Sequence, residues 1–187
     1  MKKFELTSET KINIFGKKLF RIKALISFGD VEAGETGGWV EKEENVNQSG
    51  DAWVYGNARV YGDARVYGDA RVSGDALVYG DARVYGDARV YGDALVYGDA
   101  RVYGDALVYG NADYTTIHGF GTQFRTTTFF KCKDKQVKVS CGCFFGTIPE
   151  FRKQVKNTRK GKIAEEYLMI ADLMEKHFEI PEEKESE

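Results

Sequence analysis

From Val54 to Asp113 the chain repeats one six-residue phrase, Val-Tyr-Gly-Asp-Ala-Arg, with few exceptions. Valine recurs without a slip at Val54, Val60, Val66, Val72, Val78, Val84, Val90, Val96, Val102 and Val108. A single hexad cannot bury a core, so the hexads must stack on one another. Across each Ala-Arg-Val boundary, alanine and valine lie two apart and face the same side of an extended segment. Valine then fills the interior, and alanine lets the wall pass close. Gly-Asp supplies the corner. The remaining tyrosine and arginine point outward.

The repeat fades in early. Gly50-Asp51-Ala52 already holds the corner frame, and counting back in sixes puts Val40 and Val46 where later repeats place alanine. Gly34 to Glu41 therefore reads as the start of degenerate early turns. An aliphatic residue followed four positions later by a small one, from Val54 with Ala58 to Val108 with Ala112, resembles the hexapeptide-repeat left-handed β-helix family. The Gly-Gly-Trp-Val-Glu entry and the Val-Tyr-Gly-Asp-Ala phrase look like hexapeptide-repeat proteins of bacteria and their phages, some labelled acyltransferases. The resemblance spans roughly residues 34–113. It implies coils of three hexads, so residues eighteen apart stack about 4.8 Å apart.

That spacing defines outward columns. Arg65, Arg83 and Arg101 make one; Arg59, Leu77, Leu95 and Asp113 a second; Trp53, Arg71, Arg89 and Leu107 a third. Tyr55, Ser73, Tyr91 and Tyr109 share another. Leu77 over Leu95 is an outward apolar stripe, a docking surface for the C-terminal helix, a partner or a second copy.

The flanks are different. Ile12, Ile14, Phe20, Ile22, Ala24, Ile26 and Phe28 alternate with polar residues, which predicts a hairpin turning at Gly16-Lys17 and lidding the first coil. After Asp113, Phe124–Lys133 and Gln136–Phe145 read as a second hairpin around Asp134-Lys135. Pairing Cys132 with Val137 and Phe130 with Val139 predicts a core of Phe124, Phe130, Cys132, Val137, Val139, Cys141, Cys143 and Phe145. Arg125, Phe129, Lys131, Lys133, Lys138 and Phe144 then form a basic surface with exposed rings. Thr147 and Glu150 form a capping box opening a helix to about Asn157. A second helix over about 162–178 aligns Ile163, Tyr167, Ile170, Met174 and Phe178 on one face. The fold expected is mainly β: a left-handed parallel β-helix with an N-terminal β-hairpin cap and a C-terminal ββαα module. Its divisions are 1–33, 34–113, 114–181 and an acidic tail at 182–187.

The net charge of −2 hides strong asymmetry. Between 115 and 162 eleven lysines and arginines face only Asp134 and Glu150. Six of those cations, Arg152, Lys153, Lys156, Arg159, Lys160 and Lys162, crowd the junction of the two helices. Cations interleaved with rings suit phosphate backbones and base stacking. Acyl transfer, which the resemblance brings with it, needs a histidine base at the coil surface. The chain has His118 and His177 only, neither inside a coil; His118 would be the base of a trimeric, CoA-dependent enzyme. Three histidines on zinc are unattainable, and Cys132, Cys141 and Cys143 lack the usual zinc-knuckle spacing. Asp beside Gly at the corners is ordinary turn chemistry rather than a calcium site.

The expectation is a non-enzymatic binding protein without metal or cofactor. Arg125, Phe129, Lys131, Lys133, Lys138, Phe144, Arg152, Lys153, Lys156, Arg159 and Lys160 contact nucleic acid or a nucleic-acid-handling protein. The likeness to phage proteins extends this to an inhibitor of a host defence nuclease, anti-CRISPR in manner. Outward leucines and tyrosines leave self-assembly as a further reading. An odd cysteine count and the lack of a long apolar run point to a reduced cytoplasm (the host's, if phage-encoded) and no membrane.

Overall fold

The computed structural model describes residues 2–180, so the expected acidic tail at 182–187 lies outside the described residues. The chain divides into two compact units, Met1–Asn111 and Ala112–Glu187. No helix is long and apolar enough to cross a membrane.

The first unit opens with β1 (Phe4–Ile12), β2 (Lys18–Ala24) and β3 (Thr36–Val40). Ten two-residue strands succeed them: β4 (Trp53–Val54), β5 (Arg59–Val60), β6 (Arg65–Val66), β7 (Arg71–Val72), β8 (Leu77–Val78), β9 (Arg83–Val84), β10 (Arg89–Val90), β11 (Leu95–Val96), β12 (Arg101–Val102) and β13 (Leu107–Val108). They stack in parallel as three faces of a β-solenoid, β3-β5-β8-β11, β4-β7-β10-β13 and β6-β9-β12. Every repeat valine from Val54 to Val108, and every repeat alanine from Ala52 to Ala106, is fully buried. Each buried valine contributes on the order of 1.5 kcal/mol against the entropy of ordering the coil. Ala112, expected to close the series, is exposed and belongs to the second unit. Asp113 sits there too, in a short 3-10 turn rather than in the leucine column.

The first coil departs from the counted frame. Val40 pairs with Val60 and Val46 with Val66, twenty residues apart, whereas Val54 pairs with Val72, eighteen apart. A two-residue insertion between Val46 and Val54 shifts the earlier coil, so Val40 and Val46 take valine positions, not alanine positions. Gly38 then stands where Ala58 stands one coil later; a Cβ there would lie 2.7 Å from the Ala58 carbonyl. The inserted polar residues anchor the N-terminus. Gln48 accepts from the backbone N–H of Lys3 at 2.7 Å and donates to Phe4 O at 3.1 Å, acting as a strand partner for β1.

The N-terminal hairpin caps one face by pairing β2 antiparallel to β3. Phe4, Leu19, Ile22 and Ala24 are its buried residues, while Ile12 and Ile14 are exposed, contrary to the alternation read from them. Trp53, expected outward, is fully buried under Phe4 and Phe28, whose rings meet it edge-on at 5.8 and 5.4 Å.

The second unit has more strands than the sequence suggested. An antiparallel sheet, β14 (Tyr114–Phe120), β15 (Arg125–Lys131), β16 (Val137–Cys141) and β17 (Phe144–Thr147), precedes α1 (Ile148–Thr158) and α2 (Gly161–His177). Thr147 and Glu150 form the expected capping box. The β15–β16 register is displaced by one residue: Phe129 pairs with Val139 and Lys131 with Val137. The cause is the loop. Cys132 and Gln136 close it across three residues, with Lys135 at φ +66°, where a two-residue turn was expected. A one-residue slip exchanges the two faces of a strand. Phe129 therefore joins Val137, Val139, Ile148, Phe151, Val155, Tyr167, Ile170 and Met174 in the core between sheet and helices. Phe124, Cys143 and Phe145, expected in that core, are exposed.

Candidate functional site

The stacked columns stand as the eighteen-residue spacing requires. Arg65, Arg83 and Arg101 form consecutive exposed rungs. Beside them Tyr67, Tyr85 and Tyr103 stack with ring centroids 4.7 and 4.5 Å apart. Burial pushes the Tyr85 hydroxyl up to about 12, with its two tyrosine neighbours adding to the rise. Above Arg65 the first coil turns Asn45 inward, where its amide donates to Gly62 O at 3.1 Å and Ala64 O at 2.9 Å. With that side chain withdrawn, a hollow of roughly 450 Å³ opens over Arg65, Tyr67 and Arg83, edged by Glu43, Glu44, Asn47 and Gln48. Leu77, half of the expected docking stripe, packs on Leu19, Trp39 and Tyr61. The N-terminal hairpin thus covers it, and Leu95 is left half-buried on the next rung.

The basic residues of the second unit separate into those the fold consumes and those it leaves open. Arg152 is held by Asp172 and Glu175, 2.6 and 2.5 Å away, across the two helices, which raises its affinity for its proton. Lys131 pairs with Asp113 at 3.0 Å. Lys138 lies over the Phe145 ring at 5.6 Å. Phe129 is fully buried, so it cannot stack on a base. Phe144 packs on Phe151 with centroids 5.4 Å apart. Arg125, Lys133, Lys153, Lys156, Arg159 and Lys160 remain exposed. None of these six makes an ion pair among the described residues.

Three of them, Lys156, Arg159 and Lys160, cluster where α1 ends and α2 begins. Lys156 and Arg159 suit the negative C-terminal end of α1. Lys160 does not suit the positive N-terminal end of α2. It is the N-cap of that helix, gives no side-chain cap, and the first turn holds no acid. Lys162 adds a second cation at the same positive end and reaches Glu166 only at 3.5 Å.

A pocket of roughly 100 Å³ opens beside this turn. Thr122, Gln123 and Arg125 line it from the β14–β15 connection, and Cys141, Cys143 and Phe144 from the β16–β17 turn. Phe151, Gln154, Val155, Thr158 and Arg159 come from α1 and its end, and Tyr167 from α2. Cys141 Sγ accepts from Thr127 Oγ1 at 3.2 Å. The Tyr167 hydroxyl donates to Phe120 O at 3.3 Å. Burial first, and the Cys141 thiol second, push that hydroxyl up to about 12, so it stays a donor. Sequence reasoning puts Arg125 and Arg159 on a surface but misses the pocket; Gly142-Cys143, a two-residue turn between paired strands, is its one local signal.

His118 lies on β14, exposed, with Nδ1 3.0 Å from Thr126 Oγ1. Among the described residues, no three of His118, Cys132, Cys141 and Cys143 bring ligand atoms together.

The family model of the YdcK beta solenoid repeat matches residues 52–68, 64–80, 70–86, 76–92, 88–100 and 100–112. The chain is similar to that family over its hexads, and the matches leave both flanks uncovered. No curated protein matches the chain.

Proposed function

We propose that this is a non-enzymatic binding protein: a β-solenoid scaffold carrying a helical module whose cationic turn contacts the phosphate backbone of nucleic acid. The carrying observation is the start of α2, where Lys160 and Lys162 sit at the positive end of a helix with neither a side-chain cap nor an acid in its first turn. A helix N-terminus favours anions by roughly 0.3–1 kcal/mol each and disfavours cations correspondingly. Two cations there are unfavourable for the isolated fold and favourable once a polyanion docks. Lys153, Lys156 and Arg159 extend the same exposed surface. Partners now shift from the larger sequence-derived set to this turn, because Phe129 is core and Arg152 and Lys131 are neutralised within the unit. The resemblance of the repeats to phage proteins supports a narrower role, obstruction of a nucleic-acid-targeting machine.

Retention on single-stranded oligonucleotide should fall with salt, with a log–log slope of about −3 for some four phosphate contacts. Lys153→Glu, Lys156→Glu and Lys160→Glu together should abolish retention and leave the unfolding temperature within about 2 °C. Salt-insensitive binding, or binding untouched by the triple change, refutes the reading.

A further inference from the structure

The pocket beside the cationic turn is lined unlike a core defect. Its roughly 100 Å³ is well below the roughly 300–1,000 Å³ of ordinary ligand pockets. That suits one tetrahedral anion. Two guanidiniums line it, Arg125 and Arg159, and no carboxylate does. Hydroxyls of Thr122, Thr158 and Tyr167 and amides of Gln123 and Gln154 surround them. Gly142, at φ +63°, turns β16 into β17 beside Arg125: a Cβ there would lie 2.5 Å from an Arg125 terminal nitrogen. Two guanidiniums beside a concave, acid-free wall suit charge-assisted recognition of an oxyanion.

We propose that this pocket binds a phosphomonoester, the terminal phosphate of a nucleic-acid strand lying on the cationic turn. The assignment rests on the nucleic-acid reading above. A monoester carries between −1.5 and −2 charge near neutrality and presents three free oxygens on one side. It can enter the pocket end-on and meet two guanidiniums. An internal diester is substituted on both sides and must run along a groove. The turn supplies that track, and Arg159 belongs to both pocket and track.

The test uses the full chain and four probes: inorganic phosphate, and one single-stranded oligonucleotide in 5′-phosphorylated, 3′-phosphorylated and unphosphorylated forms. Cys143 lines the pocket and is exposed, so its alkylation rate reports occupancy. Inorganic phosphate should slow that rate at least threefold. One phosphorylated strand should bind at least tenfold tighter than the unphosphorylated strand. Arg125→Gln should remove both effects, so that all three strands bind alike. Gln123→Glu, at an exposed rim position, should do the same by placing a carboxylate there, and keeps the test open if the arginine variant misfolds. Equal affinity for all three strands overturns the proposal while sparing the nucleic-acid reading. Failure of every strand to bind, with phosphate still protecting Cys143, overturns both. Phosphate protection that persists in both variants places the anion elsewhere and overturns the proposal.

Discussion

Gly50→Ala and Gly56→Ala sit six residues apart at the same end of the solenoid, on either side of Trp53, yet should differ sharply in cost. Both glycines have positive φ, +72° and +56°. Alanine in that region costs about 1–2 kcal/mol, and stiffening the unfolded chain returns about 0.4–1 kcal/mol. For Gly56 that is the whole account, because a Cβ there meets nothing within 4 Å. The net loss is about 1 kcal/mol. For Gly50 the added Cβ would stand 2.6 Å from the Gly68 carbonyl oxygen of the next coil. That same oxygen accepts from Ala52 N at 2.8 Å. The coils must part, adding about 1–3 kcal/mol of overpacking and about 1 kcal/mol for the weakened hydrogen bond. The two variants should therefore differ by about 2–4 kcal/mol, a factor of at least about 30 in the unfolding constant. The chain's two tryptophans, Trp39 and Trp53, both lie buried in the first unit. Urea unfolding followed by tryptophan fluorescence thus reads the solenoid alone. Variants that agree within about 0.5 kcal/mol would refute the coil-contact reasoning.

Two further outcomes test the second unit and the charge balance. Phe129→Ala should destabilise the helical module by about 3–5 kcal/mol, as for a large buried aromatic, seen as an early helical transition in circular dichroism. A variant with parental stability and selectively lost nucleic-acid binding would restore the exposed register. In the first unit, burial lowers Lys3 to about 8, although its ammonium donates to Gly50 O at 3.0 Å and Ala52 O at 2.9 Å. Burial, with Arg59 and Arg21 nearby, lowers Lys11 to about 8 as well. Between pH 8 and about 10.5 the unfolded chain then binds more protons than the folded one, so stability rises with pH. Tyr85, raised to about 12, titrates later in the folded state than in the unfolded state, so stability falls as pH passes from about 10 to 12. Tryptophan-detected unfolding temperature should therefore peak near pH 10; a steady fall from pH 8 contradicts the assignment.

The hexads are legible because each needs only copies of itself. Valine, alanine and the Gly-Asp corner encode one coil wall, and stacking identical walls fixes Arg65 on Arg83 and Arg101 without reference to anything distant. The capping box at Thr147 and the apolar face of α2 are legible for the same reason, since both are local patterns of three or four residues. The first coil is easily misread because its frame depends on an interruption, Gln48-Ser49, whose role emerges only when Gln48 meets β1.

The solenoid, its column spacing and the two helices are thus encoded in the order of residues along the chain. Folding in three dimensions selects which face of β15 joins the core with the helices, since one loop residue puts Phe129 there in place of Phe130, although Phe130 and Cys132 stay buried as well. Folding likewise selects which cations remain available. Arg152 finds its carboxylates twenty and more residues away on α2, whereas Lys160 sits at the start of that helix with no acid in its first turn. Periodic backbone preference is written in neighbours, but the neutralisation of a charge and the closing of a pocket depend on groups that only folding brings within reach.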